Sequence, residues 1–322
     1  MTGLAERPRL PLGRWPTPMY PAERLSETLG IDLWFKRDDL AGLGLGGNKA
    51  RPLEYLLGDA LAGGFDCLLT GAGPQSNWAF LATLAARSAG LDPILCFYGD
   101  PPDVVSGNLL LLERWVAPEI HWTGDADRQS VDALLEQTAA QLRERGRRPY
   151  VLPRGGATAL GTAGYLAAAL EMAEQSPLAA HSTVWLATGS CGTQAGLVLG
   201  IAAGHLGRVV GVTVSRPATE ACDRVLRLSN DGADLWGSPA PGQGDVEVVG
   251  GWIGDGYGVA SAAGTAATAL VARTEGVLLD PVFGAKAMAA LVAAARAGSI
   301  RGPVIFLVTG GAPSLFAAGG GT

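Results

Sequence analysis

The chain has few cysteines and histidines, no excess of basic charge and no long apolar run, and each shortage removes a class of function. Its four cysteines, Cys67, Cys96, Cys191 and Cys222, stand far apart with no C-x-x-C pair. That excludes a disulfide scaffold and points to free thiols in a reducing compartment, so a cytoplasmic protein is expected. The three histidines, His121, His181 and His205, are isolated, and there is no H-E-x-x-H or Cys/His cluster. No protein-built metal site is therefore expected, and without a G-x-S-x-G elbow no hydrolase serine stands out. Lys and Arg total 24 against 30 Asp and Glu, for a net charge of −6. The basic residues are scattered, so no stripe is available for a nucleic-acid partner; the densest group, Arg143 to Arg148, is interrupted by Glu144 and reads as the solvated end of a helix. The longest uncharged stretch, Thr183 to Gly204, is split by TGSCGTQ, and a membrane span needs roughly 20 consecutive apolar residues. The opening MTGLAERPRLPLG is broken by prolines and charges and has no apolar core of a secretory leader.

What is present is a globular composition: 48% hydrophobic and 17% charged residues in 322 leave room for one large core or two modest ones. Short β-rich runs alternate with longer Ala/Leu-rich helical patterns. Strands are expected at Asp66–Thr70, Pro93–Tyr98, Ile120–Trp122, Tyr150–Leu152, Val184–Thr188, Val209–Val214 and Val304–Val308. Helices are expected at Asn77–Ala89, Val131–Arg145, Leu160–Glu174, Thr193–His205, Ala260–Thr274 and Gly284–Ala297. This alternation indicates βαβ units and a mainly parallel α/β fold. VWLAT and VIFLV are continuously apolar, as strands covered on both faces should be. GATALGT after Leu152 and WGSPAPGQG from Trp236 read as linkers.

Three junctions place small or polar residues where a helix begins, the position at which open α/β sheets gather ligands. In GLGLGGNKARPLEYLLGDA, Asn48-Lys49 precedes a helical pattern, with Pro52 in its first turn. An ammonium is poorly placed against a helix N-terminus, so Lys49 reads either as an exposed lysine in a glycine-rich turn or as an amine wanted with a lowered pKa or as an imine. Gly42, Gly44 and Gly47 match G-x-G-x-x-G, but the preceding LWFKRDDLAG is charged where a buried parallel strand should be apolar. Asp66 also begins a strand where a ribose-binding acid should end one. In Gly71–Asn77, Ser76 and Asn77 are ordinary N-cap residues that could also bind a carboxylate. In TGSCGTQA, Ser190, Gly192 and Thr193 can donate several hydrogen bonds to one phosphate, without the Gly-Lys-Ser/Thr of a nucleotide triphosphatase. Tyr257, between glycines, packs a turn or faces a substrate.

Together, KRDDLAGLGLGGNKARPLEYLLGDAL, GAGPQSNWAF, TGSCGTQAGLVLG, ARTEGVLLDPVFGAKAMAALV and VTGGAPSLFA resemble, in the same order, the D-cysteine desulfhydrase and 1-aminocyclopropane-1-carboxylate deaminase family, from about Leu10 to Phe316. That family belongs to the fold type II, tryptophan-synthase-β-like pyridoxal-phosphate enzymes. The resemblance implies two open twisted, mainly parallel sheets flanked by helices. Residues 1–52 and 160–322 would form a large cofactor-binding domain and 53–159 a small one, with the active site in the cleft between them.

It further implies that Lys49 forms the Schiff base with pyridoxal 5'-phosphate, with Asn48 beside it. Asn77 would lie by the cofactor's 3′-oxygen, and Ser190, Cys191, Gly192 and Thr193 would hold its phosphate. Ser76, with Gln75 and Asn77, would sit near the substrate, and Tyr257 would face it. The implied activity is loss of a β-substituent from a small amino acid, D-cysteine-like, to give a 2-oxo acid and ammonia, by a homodimer. Cyclopropane ring opening, β-replacement, an unusual amino acid of specialised metabolism, and a vestigial cofactor-binding protein are the alternatives. Three positions depart from the family pattern: Phe283 replaces a tyrosine, Gly284 replaces Thr or Glu near the pyridine nitrogen, and Trp78 replaces His or Gln at the substrate edge. Thr309 offers a hydroxyl for that nitrogen, and the missing phenol at Phe283 makes ring opening the less expected activity.

Overall fold

The computed structural model describes residues 4 and 6–317. Part of the opening segment read for a leader, and the outer ends of the expected large domain, fall on 1–3, 5 and 318–322 and lie outside the described residues. The strands are β1 (Met19–Pro21), β2 (Leu33–Arg37), β3 (Cys67–Ala72), β4 (Asp92–Phe97), β5 (Glu119–Trp122), β6 (Pro149–Leu152), β7 (Thr183–Thr188), β8 (Arg208–Thr213), β9 (Glu247–Val249) and β10 (Val304–Val308). The helices are α1 (Glu23–Leu29), α2 (Ala50–Ala62), α3 (Asn77–Ser88), α4 (Gly107–Leu111), α5 (Ser130–Glu144), α6 (Ala163–Gln175), α7 (Gly192–Ala202), α8 (Ala218–Trp236), α9 (Ala262–Glu275) and α10 (Gly284–Arg296).

Two sheets form. One has six strands in the order β1-β2-β10-β7-β8-β9, the other four in the order β5-β4-β3-β6. Every strand pair is parallel except β1 with β2. The apolar run VIFLV is explained by its two covers. Val304, Phe306 and Val308 face a cluster that includes Met288 and Leu291 of α10, and Ile305 and Leu307 face one that includes Tyr165 and Met172 of α6. Burying each such side chain contributes about 1.5–3 kcal/mol. In the second sheet β3 divides in the same way, with Leu68 facing Leu53 and Leu81 and with Leu69 facing Val131 and Leu135.

The charged segment before the glycines differs from expectation. Leu33–Arg37 is a strand, parallel to β10, and Lys36 within it is fully buried. Its ammonium is neutralised by Glu171 of α6 and donates to the Thr17 carbonyl at 2.9 Å and to Gln175 Oε1 at 2.6 Å. A strand carries a charge in the core when the covering helix brings its counter-charge. β2 and the strand that follows α2 belong to different sheets, so the glycine loop is not part of the βαβ unit that a dinucleotide site requires. Arg143 to Arg148 is also more than a solvated end: Arg147 bridges Asp66 at 3.2 Å and Asp92 at 2.8 Å, tying the turn after α5 to β3 and β4. Among the described residues, no helix is long and apolar enough to cross a membrane.

Candidate active site

A cavity of about 390 Å³ opens where the carboxyl ends of the parallel strands of both sheets converge. Ala72 and Gly73 arrive from β3, Tyr98 from β4, Arg154 and Gly155 from β6, Gly189 and Ser190 from β7, Ser215 and Arg216 from β8, and Thr309 from β10. Such strand ends are where α/β folds place ligands, and the volume lies within the range of small-molecule sites.

Lys49 immediately precedes α2 and sends its amine into this cavity, where Nζ donates to Ser190 Oγ at 3.2 Å. Burial against the cavity walls lowers its pKa to about 8, with the Cys191 thiol opposing the shift. The helix start is anchored from behind. Arg51, two residues on, is 3% exposed and donates to both oxygens of Asp38 at 2.8 Å, and to Glu171 at 2.8 and 2.9 Å. Tyr165 Oη donates to the same Asp38 at 2.5 Å, and the guanidinium holds that fully buried carboxyl below the usual carboxylate range. The preceding glycines act as spacers: a Cβ on Gly46 would stand 1.7 Å from the Asp39 carbonyl oxygen, and its φ of 78° suits glycine. Asn48 N–H donates to Thr309 O at 2.9 Å, seating the loop on the turn after β10.

The loop between β7 and α7 forms an end of the cavity that could hold an anion. α7 runs for 11 residues, and its first turn presents backbone N–H groups and the positive end of the dipole. Cys191, just before it, holds φ at 75°, a left-handed conformation that costs a non-glycine residue about 1–3 kcal/mol and is found where function constrains the chain. Thr193 Oγ1 accepts from Asn48 Nδ2 at 2.9 Å, coupling this loop to Lys49.

On the opposite wall Ser76 caps α3, its Oγ accepting from Ala79 N–H at 3.3 Å, while also lining the cavity. Asn77 Oδ1 accepts from Asn108 Nδ2 at 2.8 Å, which leaves the NH₂ end for a ligand. Trp78 lines the cavity but is 2% exposed: its indole N–H donates to Thr70 Oγ1 at 2.9 Å and its ring packs on Gly156. Tyr257 and Phe283 meet edge-to-face at 6.1 Å, and burial raises the Tyr257 phenol to about 12, so it stays protonated. Asp280, pushed up to about 6 by burial, accepts from the N–H groups of Val282, Phe283 and Gly284 and sets the start of α10 beneath Phe283.

Of the residues singled out in the sequence, Asn48, Lys49, Ser76, Asn77, Trp78, Ser190, Cys191, Thr193, Tyr257, Phe283 and Thr309 all border this one cavity. Gln75 and Gly192 do not. Gln75 is committed to the loop before α4, donating to Ser106 O at 2.9 Å and accepting from Asn108 N–H at 3.0 Å. Gly192 borders a minor void behind the loop, against Ala157. Sequence reasoning missed Tyr98, Arg128, Arg154, Ser215, Arg216 and Arg224, all of which line the cavity. Most follow a parallel strand, so the strand-end rule that singled out Ser76 and Ser190 would have found them.

A lysine amine enclosed between a helix N-terminal loop and the ends of two mainly parallel sheets is an arrangement that could hold a carbonyl cofactor on the lysine and its phosphate on the helix. The chain belongs to the family of pyridoxal-phosphate-dependent enzymes, whose model matches residues 10–310. The D-cysteine desulfhydrases of Salmonella paratyphi C and Salmonella choleraesuis are each 39% identical to it, over 98% of this chain and 97% of theirs. A solved structure described as an ACC deaminase homologue superposes with a TM-score of 0.92 at 37% identity, covering 98% of this chain and 95% of that one. Tomato threonine deaminase isoform 2, at 17% identity and a TM-score of 0.67, shares the fold over 96% of this chain and 83% of its own. The architecture is that of the fold type II enzymes, and the cofactor is pyridoxal phosphate.

Proposed function

We propose that the chain eliminates a β-substituent from a small amino acid, in the manner of a D-cysteine desulfhydrase, with Lys49 as the residue that carries the cofactor. The observation that carries the reading is the Lys49 amine, 3.2 Å from Ser190 Oγ and at the mouth of α7. Ser190, Cys191 and Thr193 are read as the phosphate-side residues, Asn77 and Thr309 as those meeting the ring, and Ser76 and Tyr257 as those meeting substrate. The bound cofactor supplies an electron sink for the pair released at Cα. Lys49, with its pKa near 8, is suited to take the Cα proton and give one back at neutral pH. Ser76 Oγ holds the substrate carboxylate side, and the protonated Tyr257 can donate but not abstract. The Cα proton leaves, the Cβ–X bond breaks with its electron pair on X, and the remaining C₃ enamine takes up one water to give pyruvate and ammonium.

The same reading divides the chain into a large unit, 1–52 and 160–322, and a small unit, 53–159, with substrate in the cleft. The strands of the six-stranded sheet lie within the first and those of the four-stranded sheet within the second. A cytoplasmic homodimer belongs to this reading, and four free cysteines suit a reducing compartment. Wild-type protein purified with cofactor should absorb as the lysine-bound form, and Lys49→Ala should lose that band. Assays of 2-oxo acid release from D-cysteine, L-cysteine, β-chloroalanine and 1-aminocyclopropane-1-carboxylate then separate elimination from ring opening. No release from any of the four would point to a different substrate.

A further inference from the structure

Five cationic side chains border the cavity, Lys49, Arg128, Arg154, Arg216 and Arg224, against the two carboxylates Asp127 and Glu220. In a chain of net charge −6, that local excess needs an anionic occupant. The arginines divide into two pairs. Arg224 Nε donates to Ser190 O at 3.2 Å, and Arg216 comes from the strand end beside Ser215, whose Oγ donates to Gly189 O at 3.3 Å. This pair flanks the phosphate-side loop. Arg128 and Arg154 stand on the tyrosine wall instead. The Arg128 guanidinium lies 4.9 Å from the Tyr257 ring centroid and reaches the Ser215 carbonyl at 3.5 Å; Arg154 donates to the Arg128 carbonyl. Among the described residues Arg128 has no carboxylate partner, and Arg154 has only Asp132 at 3.5 Å, itself largely exposed. Tyr98 and Tyr257 complete the wall, and no hydrogen bond among the described residues occupies either phenol hydroxyl. One guanidinium without a carboxylate, one with only an exposed and distant one, and two free phenol donors suit an anion.

We infer that Arg128 and Arg154, with Tyr98 and Tyr257, form a subsite for a negatively charged group on the substrate's side chain. The preferred substrate is then a small amino acid whose β-substituent is a sulfonate or phosphate, leaving as sulfite or phosphate. The inference rests on the elimination reading and specifies its leaving group. When the Cβ–X bond breaks, X takes the electron pair and gains one negative charge, so the two guanidiniums stabilise the departing group more than the bound substrate, which is how a site raises kcat.

The test compares, for both enantiomers, 2-oxo acid release from cysteate and O-phosphoserine with release from cysteine and β-chloroalanine. Wild type is set against Arg128→Gln, Arg154→Gln and the charge-keeping Arg128→Lys. The glutamine variants should lose about 10- to 100-fold in kcat/KM on the anionic substrates and keep their rate on the neutral ones, and Arg128→Lys should recover part of the loss. Equal losses on both classes would reassign these arginines to the substrate carboxylate or the cofactor, and turnover of neutral substrates alone would overturn the inference. Should wild type release no 2-oxo acid from either class, the elimination reading fails by itself. Calorimetric titration with aspartate against alanine then still decides the subsite: tighter aspartate binding that Arg128→Gln abolishes supports it, and equal binding rejects it.

Discussion

Lys286 Nζ, fully buried at the side of α10, donates to the Gly256 carbonyl at 3.1 Å, one residue before Tyr257. It donates to Ile253 O at 2.7 Å as well, so one ammonium fastens both ends of the turn that delivers the phenol to the cavity. Burial lowers the lysine's pKa while the nearby Asp280 and Asp255 raise it. Two helix-distant carbonyls therefore depend on a single charge.

Lys286→Met should leave those carbonyls unsatisfied at about 1–3 kcal/mol each. It should also lower kcat/KM by about 10- to 100-fold through misplacement of Tyr257. Chemical denaturation and steady-state kinetics measure the two effects. Unchanged kinetics in a destabilised variant would mean that the turn keeps its place without the lysine.

The lowered pKa of Lys49 sets a pH window. Only the neutral amine attacks an aldehyde, and its fraction rises as pH rises through about 8 instead of the ordinary 10.5. Cofactor-free protein should take up pyridoxal phosphate at a rate that climbs toward a plateau with a midpoint near pH 8, followed by absorbance in stopped flow. The unfolded chain binds this proton more tightly than the folded one between about 8 and 10.5, so the cofactor-free protein should gain stability across that interval. A rate still climbing steeply above pH 10 would contradict the assignment.

The buried pair Arg51–Asp38 holds the start of α2. Asp38→Ala takes one of two carboxylates from a guanidinium that is 3% exposed, leaving Glu171, so the loss should stay within the about 3–5 kcal/mol of a fully broken buried pair. Urea unfolding should show this loss, and the surviving folded protein should retain less cofactor, because the turn carrying Lys49 has lost its anchor.

Gly156 has a φ of 67°, and a Cβ there would stand 2.2 Å from the Trp78 ring. Gly156→Ala combines backbone strain with a clash against a ring held by Thr70, and overpacking of this kind costs about 1–3 kcal/mol. The indole must shift into the cavity, so KM should rise more than kcat falls. A KM left at the wild-type value would show that Trp78 moves elsewhere.

Most strands of both sheets were legible in the sequence because covered strands are apolar at every position, as in VWLAT and VIFLV. β2 was hidden because Lys36 breaks that pattern, and its compensation by Glu171 lies 135 residues away. β1 and β9 are three residues each, too short for a period to register. α8 escaped because its buried face, Ala221, Val225, Leu228, Ser229, Gly232, Ala233 and Trp236, is helically spaced but built largely of small residues. Lys49, Ser76 and Ser190 could be read because glycines and cap residues mark the loops that hold them. Arg128 and Arg154 could not, since a lone arginine in a loop looks like any solvated charge until the ends of β5 and β6 bring the two together.

The convergence of six strand ends on one cavity has a further consequence. Each facet of the pocket hangs from its own rigid strand, so a new side chain at one tip alters one facet and leaves the others in register. Such a site can exchange its leaving-group chemistry at Arg128 and Arg154 while the lysine side stays fixed, as a socket takes interchangeable fittings.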